Sequence, residues 1–308
     1  MSPTERRTTA LRGPGAGGFT PPTSVAASNP CLNCGTNIQL EFCPECGQRE
    51  IDTDPTLREF LAELAEEFLH WDGKLFKTYR MLLTKPGQLT MAYLEGRRVR
   101  YVSPLRVYLS CSILFFFLST VAPRQVVIDR TGRPVAGGIV QVGRSTPQDL
   151  AEIDADARRG SAPSRFWKSH MARALRDPEN LQHDTLESIP KAMFVLVPFF
   201  ALLVGLVYRD RRRKYPQHLA FALHIHAALF LTLSVMLGGR FFGSPVASGI
   251  YQVLFIIPFA IYLVRATRKV YPGSAGQTVW RLSAACAMYF GAFVAILTAL
   301  FALIVLSY

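Results

Sequence analysis

The sequence predicts an all-α integral membrane bundle of about five transmembrane helices, preceded by a small N-terminal zinc ribbon. Three observations carry that reading. Half of the 308 residues are hydrophobic and only 18% are charged, too apolar for a typical soluble domain and too charged for a chain immersed throughout in lipid. The apolar residues gather into long runs at 104–121, 189–207, 219–237, 249–264 and 282–306. Cys31, Cys34, Cys43 and Cys46 cluster, whereas Cys111 and Cys286 stand alone inside apolar runs.

Residues 1–28 are rich in Pro, Gly, Thr and Ser and cannot bury a core, so they read as a disordered tail. Arg6, Arg7 and Arg12 have no apolar stretch behind them, which is not the pattern of a secretory signal peptide. The N-terminus is therefore expected in the cytosol, with the first span acting as the insertion signal.

Residues 29–50 hold two near-copies of one knuckle, Cys31-Leu32-Asn33-Cys34-Gly35 and Cys43-Pro44-Glu45-Cys46-Gly47. Each places two thiolates on a tight turn, and the glycine that follows supplies a left-handed backbone. Four thiolates suit a tetrahedral zinc; iron or a redox pair is the competing chemistry. A closed four-thiolate set leaves no open coordination position, so the Zn2+ is expected to be structural, folding a segment too small to make its own core. Nucleic acid is not favoured as a partner, because residues 36–42 between the knuckles carry Glu41 and no basic side chain.

Residues 54–103 read as juxtamembrane amphipathic helices. Asp54 and Pro55 suit a helix start, and Leu57, Phe60, Leu61, Leu64, Phe68 and Leu69 recur at helical spacing opposite an acidic face. A second helix holds Leu75, Phe76, Tyr79, Leu82 and Leu83 and stops at Lys85-Pro86-Gly87; a third, short one ends at Gly96. Lys85, Arg97, Arg98 and Arg100 are placed in the lipid-headgroup layer, with Tyr93, Tyr101 and Tyr108 as interfacial aromatics.

The helical transmembrane domain occupies 104–308, with a long outer loop at 123–188. A hydrocarbon core of ~30 Å needs roughly 17–25 apolar residues per helix, which makes 249–264, interrupted by Pro258, the weakest span. Basic residues concentrate before the first span, at 209–214 after the second, and between the fourth and fifth, whereas the third loop has Arg240. Five spans with an inside N-terminus place all three basic clusters in the cytoplasm and Tyr308 outside. Within the outer loop, 125–129 and 138–142 are expected to pair as a hairpin, followed by helices at 148–158 and 165–175.

His218, His224 and His226 are the candidate intramembrane functional residues. His224 and His226 lie roughly 200° apart around a straight helix and cannot share one ligand. Interhelical hydrogen bonding is the bland reading; a proton path, a metal or haem is the functional one. His70-Trp71-Asp72 reads as a local cap, and Cys111 and Cys286 as small apolar residues. No HExxH helix, phosphate loop or nucleophile–base arrangement is evident, so no catalytic residue is assigned.

The double knuckle, Glu67-Phe68-Leu69-His70-Trp71-Asp72, Thr84-Lys85-Pro86-Gly87, the run from Tyr93 to Tyr101 and the stretch from His218 to His226 resemble the bacterial family known as domain of unknown function 3667. The resemblance covers most of residues 31–265. It implies a bacterial inner-membrane location and no established activity. The functional expectation is a membrane-anchored zinc-ribbon interaction or regulatory module that docks a cytosolic protein. The alternatives are a transporter or channel using His224 or His226, and a membrane enzyme or haem protein.

Overall fold

The computed structural model describes residues 29–38, 41–49, 56–58, 74–122, 125–128, 134–137, 147–159, 161–211, 213–242 and 245–308. The expected tail 1–28, most of the helix expected from Thr56 and the His70-Trp71-Asp72 cap lie outside them. The chain divides into two compact units, Met1–Glu50 and Ile51–Tyr308.

In the first unit, β1 (Asn29–Pro30) and β2 (Asn37–Ile38) pair antiparallel, and Phe42 bridges Arg49. These two short pairings frame two turns, and the cysteines sit at the turns.

The second unit is helical. It begins with α1 (Leu75–Thr84) and α2 (Gln88–Leu94). The break between them falls at Lys85-Pro86-Gly87, with Gly87 at φ 74°, a left-handed value that glycine adopts without strain. Five helices are long and apolar enough to cross a membrane. They are α3 (Pro104–Val121), α6 (Pro178–Val207), α7 (Tyr215–Met236, extended by a 3₁₀ turn to Phe241), α8 (Pro245–Val270) and α9 (Ala275–Ser307). The protein is a multi-pass membrane bundle, as its composition predicts.

Four spans are longer than their apolar runs, α6 and α8 by the most. α6 starts at Pro178 because Asp177 caps it, accepting from the Asn180 amide; its first three turns are polar and invisible to a hydropathy reading. α8 continues through Pro258 for 26 residues, so the expected weak fourth span is full length. Pro190 and Pro198 likewise lie inside α6.

Between α3 and α6, β3 (Gln125–Ile128) pairs with β4 (Pro134–Gly137). The hairpin forms as expected, but its second strand is Pro134–Gly137 rather than 138–142. α4 (Pro147–Arg159) and α5 (Ala162–Arg176) follow, close to their expected bounds. Trp167, Met171 and Leu175 of α5 pack around Leu181 and Val305, so this segment lies against the start of α6 and the end of α9.

α7 is the central helix. Of its best 18-residue window, 61% is buried, against 6% for α8 and for α9. Apolar all round, it packs on α3, α6 and α8. α2 also packs on α7 and α8, with Leu89, Thr90, Ala92 and Tyr93 buried. Tyr93 and Tyr108, expected as interfacial aromatics, are covered by protein, Tyr108 against Phe194 and Phe230. The reason is close approach. Gly87 lies so near α8 that a Cβ there would meet the Ala266 carbonyl at 2.7 Å.

The arginine-rich turns share one end of this unit. Arg213 donates to the Val270 carbonyl at 2.9 Å. Arg281 pairs with Asp210 at 3.0 Å. The Val102 amide donates to Thr78 Oγ1 at 3.2 Å, holding the start of α3 to α1. The opposite end carries Tyr308, whose hydroxyl donates to Asp184 at 3.2 Å.

Candidate functional sites

The four cysteines form the first site. The knuckles are built alike. In one, the Cys31 amide donates to the Thr36 carbonyl and the Gly35 amide to the Cys31 carbonyl, both at 2.8 Å. In the other, the Cys43 amide donates to the Gln48 carbonyl at 2.8 Å and the Gly47 amide to the Cys43 carbonyl at 2.9 Å. Each loop closes only with a left-handed residue after the second cysteine, and Gly35 and Gly47 supply φ 84° and 70°.

The four Sγ atoms all lie within 4.8 Å of one another. Cys31 and Cys46 stand 3.6 Å apart, and Cys34 and Cys43 3.5 Å. A tetrahedron of ~2.3 Å zinc–sulfur bonds has edges of roughly 3.8 Å, so the set fits one small ion. A disulfide needs ~2.05 Å, and all four thiols are free. Cys31, Cys43 and Ile38 make this unit's small buried cluster. Among the described residues no other group of three or more His, Cys, Asp or Glu gathers in this way.

The thiols differ before metal binds. Hydrogen bonds from the Thr36 side chain and then its amide hold the Cys34 thiol down at about 6. The Cys46 amide pulls Cys43 down, but desolvation and the hydrogen bonds to Cys34 and Cys46 outweigh it and push that thiol up to about 11. At neutral pH, Cys34 is thus the first ligand, and Cys43 must surrender a proton. Cys34's depressed value favours the folded loop above pH 9, and that contribution is lost as pH falls toward 6. Protons compete with metal for sulfur, so bound metal per chain, measured by elemental analysis after dialysis at fixed pH, should fall steadily from pH 8 to pH 5.

The second site lies at the arginine-rich end of the helical unit. It joins residues that the sequence left in separate groups. His218, His224 and His226 are all buried on α7. His224 Nδ1 lies 3.0 Å from Thr90 Oγ1 of α2. Among the described residues its Nε2 has no partner, nor has Ser103 Oγ. Both atoms face a cavity of about 10 Å³ lined also by Leu89, Tyr93, Arg97, Arg98, Tyr101 and Val102. That is room for about one water.

Arg97 and Tyr101 also line an adjoining groove of about 420 Å³, together with Lys85, Gln88 and Arg100. Lys85 and Arg100 are exposed there. Arg97 pairs with Glu95, and the Arg98 guanidinium lies over the Tyr93 ring at 4.7 Å.

The other two histidines bind hydroxyls. His218 Nδ1 meets the Tyr271 hydroxyl at 2.7 Å. His226 Nε2 meets the Tyr289 hydroxyl at 2.8 Å, and its Nδ1 donates to the Ala222 carbonyl. The three rings point to different elements and do not converge, as the helical angles require. Sequence reasoning missed Thr90, Ser103, Tyr271 and Tyr289. Tyrosines within or beside apolar runs were the available signal.

A four-thiolate cluster that could bind a metal ion, on a chain with five membrane-length helices, defines the class: a multi-pass membrane protein with a candidate metal-binding head. Residues 72–116 match the family described as "Protein of unknown function (DUF3667)". The matched stretch contains Lys85, Arg97, Arg98, Arg100 and Ser103 but neither the four clustered cysteines nor the histidines. Comparison with curated proteins and with solved structures returns no match.

Proposed function

We propose that this is a bacterial inner-membrane protein whose N-terminal unit is a structural zinc ribbon presented in the cytoplasm to a protein partner. The observation that carries the reading is the closed set of four sulfurs, which leaves a bound metal no open position for substrate. Thiolate donors at this spacing favour zinc. The ribbon exposes Leu32 and Phe42, each beside a ligating cysteine, as apolar contacts that metal binding would hold in place. The grouping of arginine-rich turns at one end of the bundle supports a cytoplasmic N-terminus and a periplasmic Tyr308. On that orientation Lys85, Arg97, Arg98 and Arg100 meet the cytoplasmic headgroups.

The test compares partners captured from mild detergent by the wild type and by Cys31→Ser/Cys34→Ser, alongside reporter fusions before Pro30 and after Tyr308. A partner set that depends on the cysteines, with an inside N-terminus, is expected. Identical sets, or an N-terminus reached only from the periplasm, would remove the reading.

One observation favours a second reading, transport by the bundle. His224 presents an unpartnered nitrogen to a polar cavity that adjoins the cationic groove. Proton or anion flux into proteoliposomes that survives His224→Leu would sink it. His226 is saturated by Tyr289 and Ala222 and supports that role less.

A further inference from the structure

A larger cavity, of about 1090 Å³, lies among α3, α6, α7, α8 and α9 in the half of the bundle away from the arginine-rich turns. Its chemistry is graded along the bundle axis. At the far end the lining is polar, with Ser119, Thr120, Gln182, His183, Glu187 and Arg240. Toward the middle it is apolar, with Met193, Leu229, Phe259 and Phe293. Tyr289, the polar side chain at the floor, is already bonded to His226 at 2.8 Å. From Gln182 to Met193, α6 covers roughly 17 Å at 1.5 Å per residue. That is about half of a ~30 Å hydrocarbon core, the depth filled by one leaflet's acyl chain.

Charge at the mouth selects the head. Ser119 and Thr120 donate their hydroxyls to carbonyls of their own helix, to Phe116 at 2.7 Å and to Phe117 at 2.7 Å, so they offer a ligand acceptors only. Glu187 is answered by Lys191 at 2.9 Å. Arg240, half-buried, forms no ion pair among the described residues and is the strong donor at the mouth. A desolvated guanidinium favours a planar or tetrahedral anion.

We propose that this cavity binds a single-chain anionic amphiphile, with its carboxylate or phosphate ester on Arg240 and its chain running to the Tyr289–Phe293 floor. Both head chemistries satisfy the same donor, and the two probes below separate them.

The experiment uses the full chain in phosphatidylcholine nanodiscs and two photoreactive probes of equal length, a fatty acid and a monoalkyl phosphate, each activated near the chain end. Cross-linked peptides are mapped by mass spectrometry. Saturable labelling confined to the Leu229–Leu233 and Cys286–Phe293 stretches is expected for at least one probe, and the stronger names the head. A neutral alcohol of the same chain should compete at least tenfold less well. Arg240→Gln should raise the half-saturating concentration of the anionic probe at least fivefold and leave the alcohol unchanged. Ile256→Trp, which fills the cavity from α8, should abolish labelling by either, with an unaltered unfolding midpoint showing that the fold persists. Labelling that never saturates and spreads over the lipid-facing sides of α8 and α9 would overturn the proposal. So would an equal effect of Arg240→Gln on acid and alcohol, or a cavity sealed by a second copy of the chain in intact-complex mass measurements.

Discussion

Cys31→Ser should leave the N-terminal unit without its metal and without its fold. Purified wild type should carry about one metal ion per chain and the variant close to none. The unit's buried cluster is Cys31, Ile38 and Cys43, far less than a domain needs to fold on burial alone. A bound metal would supply the missing force; structural zinc in small peptides contributes about 10–16 kcal/mol. Limited proteolysis should therefore cut the variant within residues 31–49 at least tenfold faster than the wild type. The helical unit should keep its unfolding midpoint, because the two units are compact separately. A variant that retained its metal would show that the sulfurs are not the ligands.

The second large effect is expected at Gly87→Val. A Cβ at this position would lie 2.7 Å from the Ala266 carbonyl and 2.9 Å from Lys269 Cβ. The obstruction is mostly backbone, which cannot swing aside. The residue also sits at φ 74°, where a β-branched side chain is strained. Strain and overpacking together should cost about 3 kcal/mol or more. In detergent the unfolding midpoint should fall by about 5–10 °C. Gly249→Ala is the matched control: its Cβ would meet nothing within 4 Å on a helix, so little change is expected. Equal behaviour of the two would mean that α2 does not pack on α8 as described.

The parts of this structure that depend on local chemistry were readable in the residues themselves. Glycine after each second cysteine, the Lys85-Pro86-Gly87 break and the limits of α3 follow from turn geometry and apolar run length. So does the choice of the four cysteines as one set. What distance along the chain hides was not readable. Thr90 and His224 are separated by 134 positions, and His226 and Tyr289 by 63. No period in the sequence marks such pairs. The basic flanks of α2 give no hint that the helix between them packs on two spans, where Gly87, Thr90 and Ala92 are small enough to allow close approach. The early start of α6 was hidden for a different reason: hydropathy finds where a helix meets lipid, not where it begins.

The sparse burial of α8 and α9 changes how the bundle must assemble. Lipid tails are as apolar as side chains, so two thinly packed helices gain little by leaving lipid for protein. Besides the packing of α9 on α6, polar bonds draw them in. Tyr271, just past the end of α8, meets His218, and Tyr289 of α9 meets His226. Each such bond in a membrane is worth about 1 kcal/mol. α7 therefore enters the bilayer carrying imidazoles whose hydroxyl partners are encoded later in the chain, so polar bonds help set the register in which the last two helices join it.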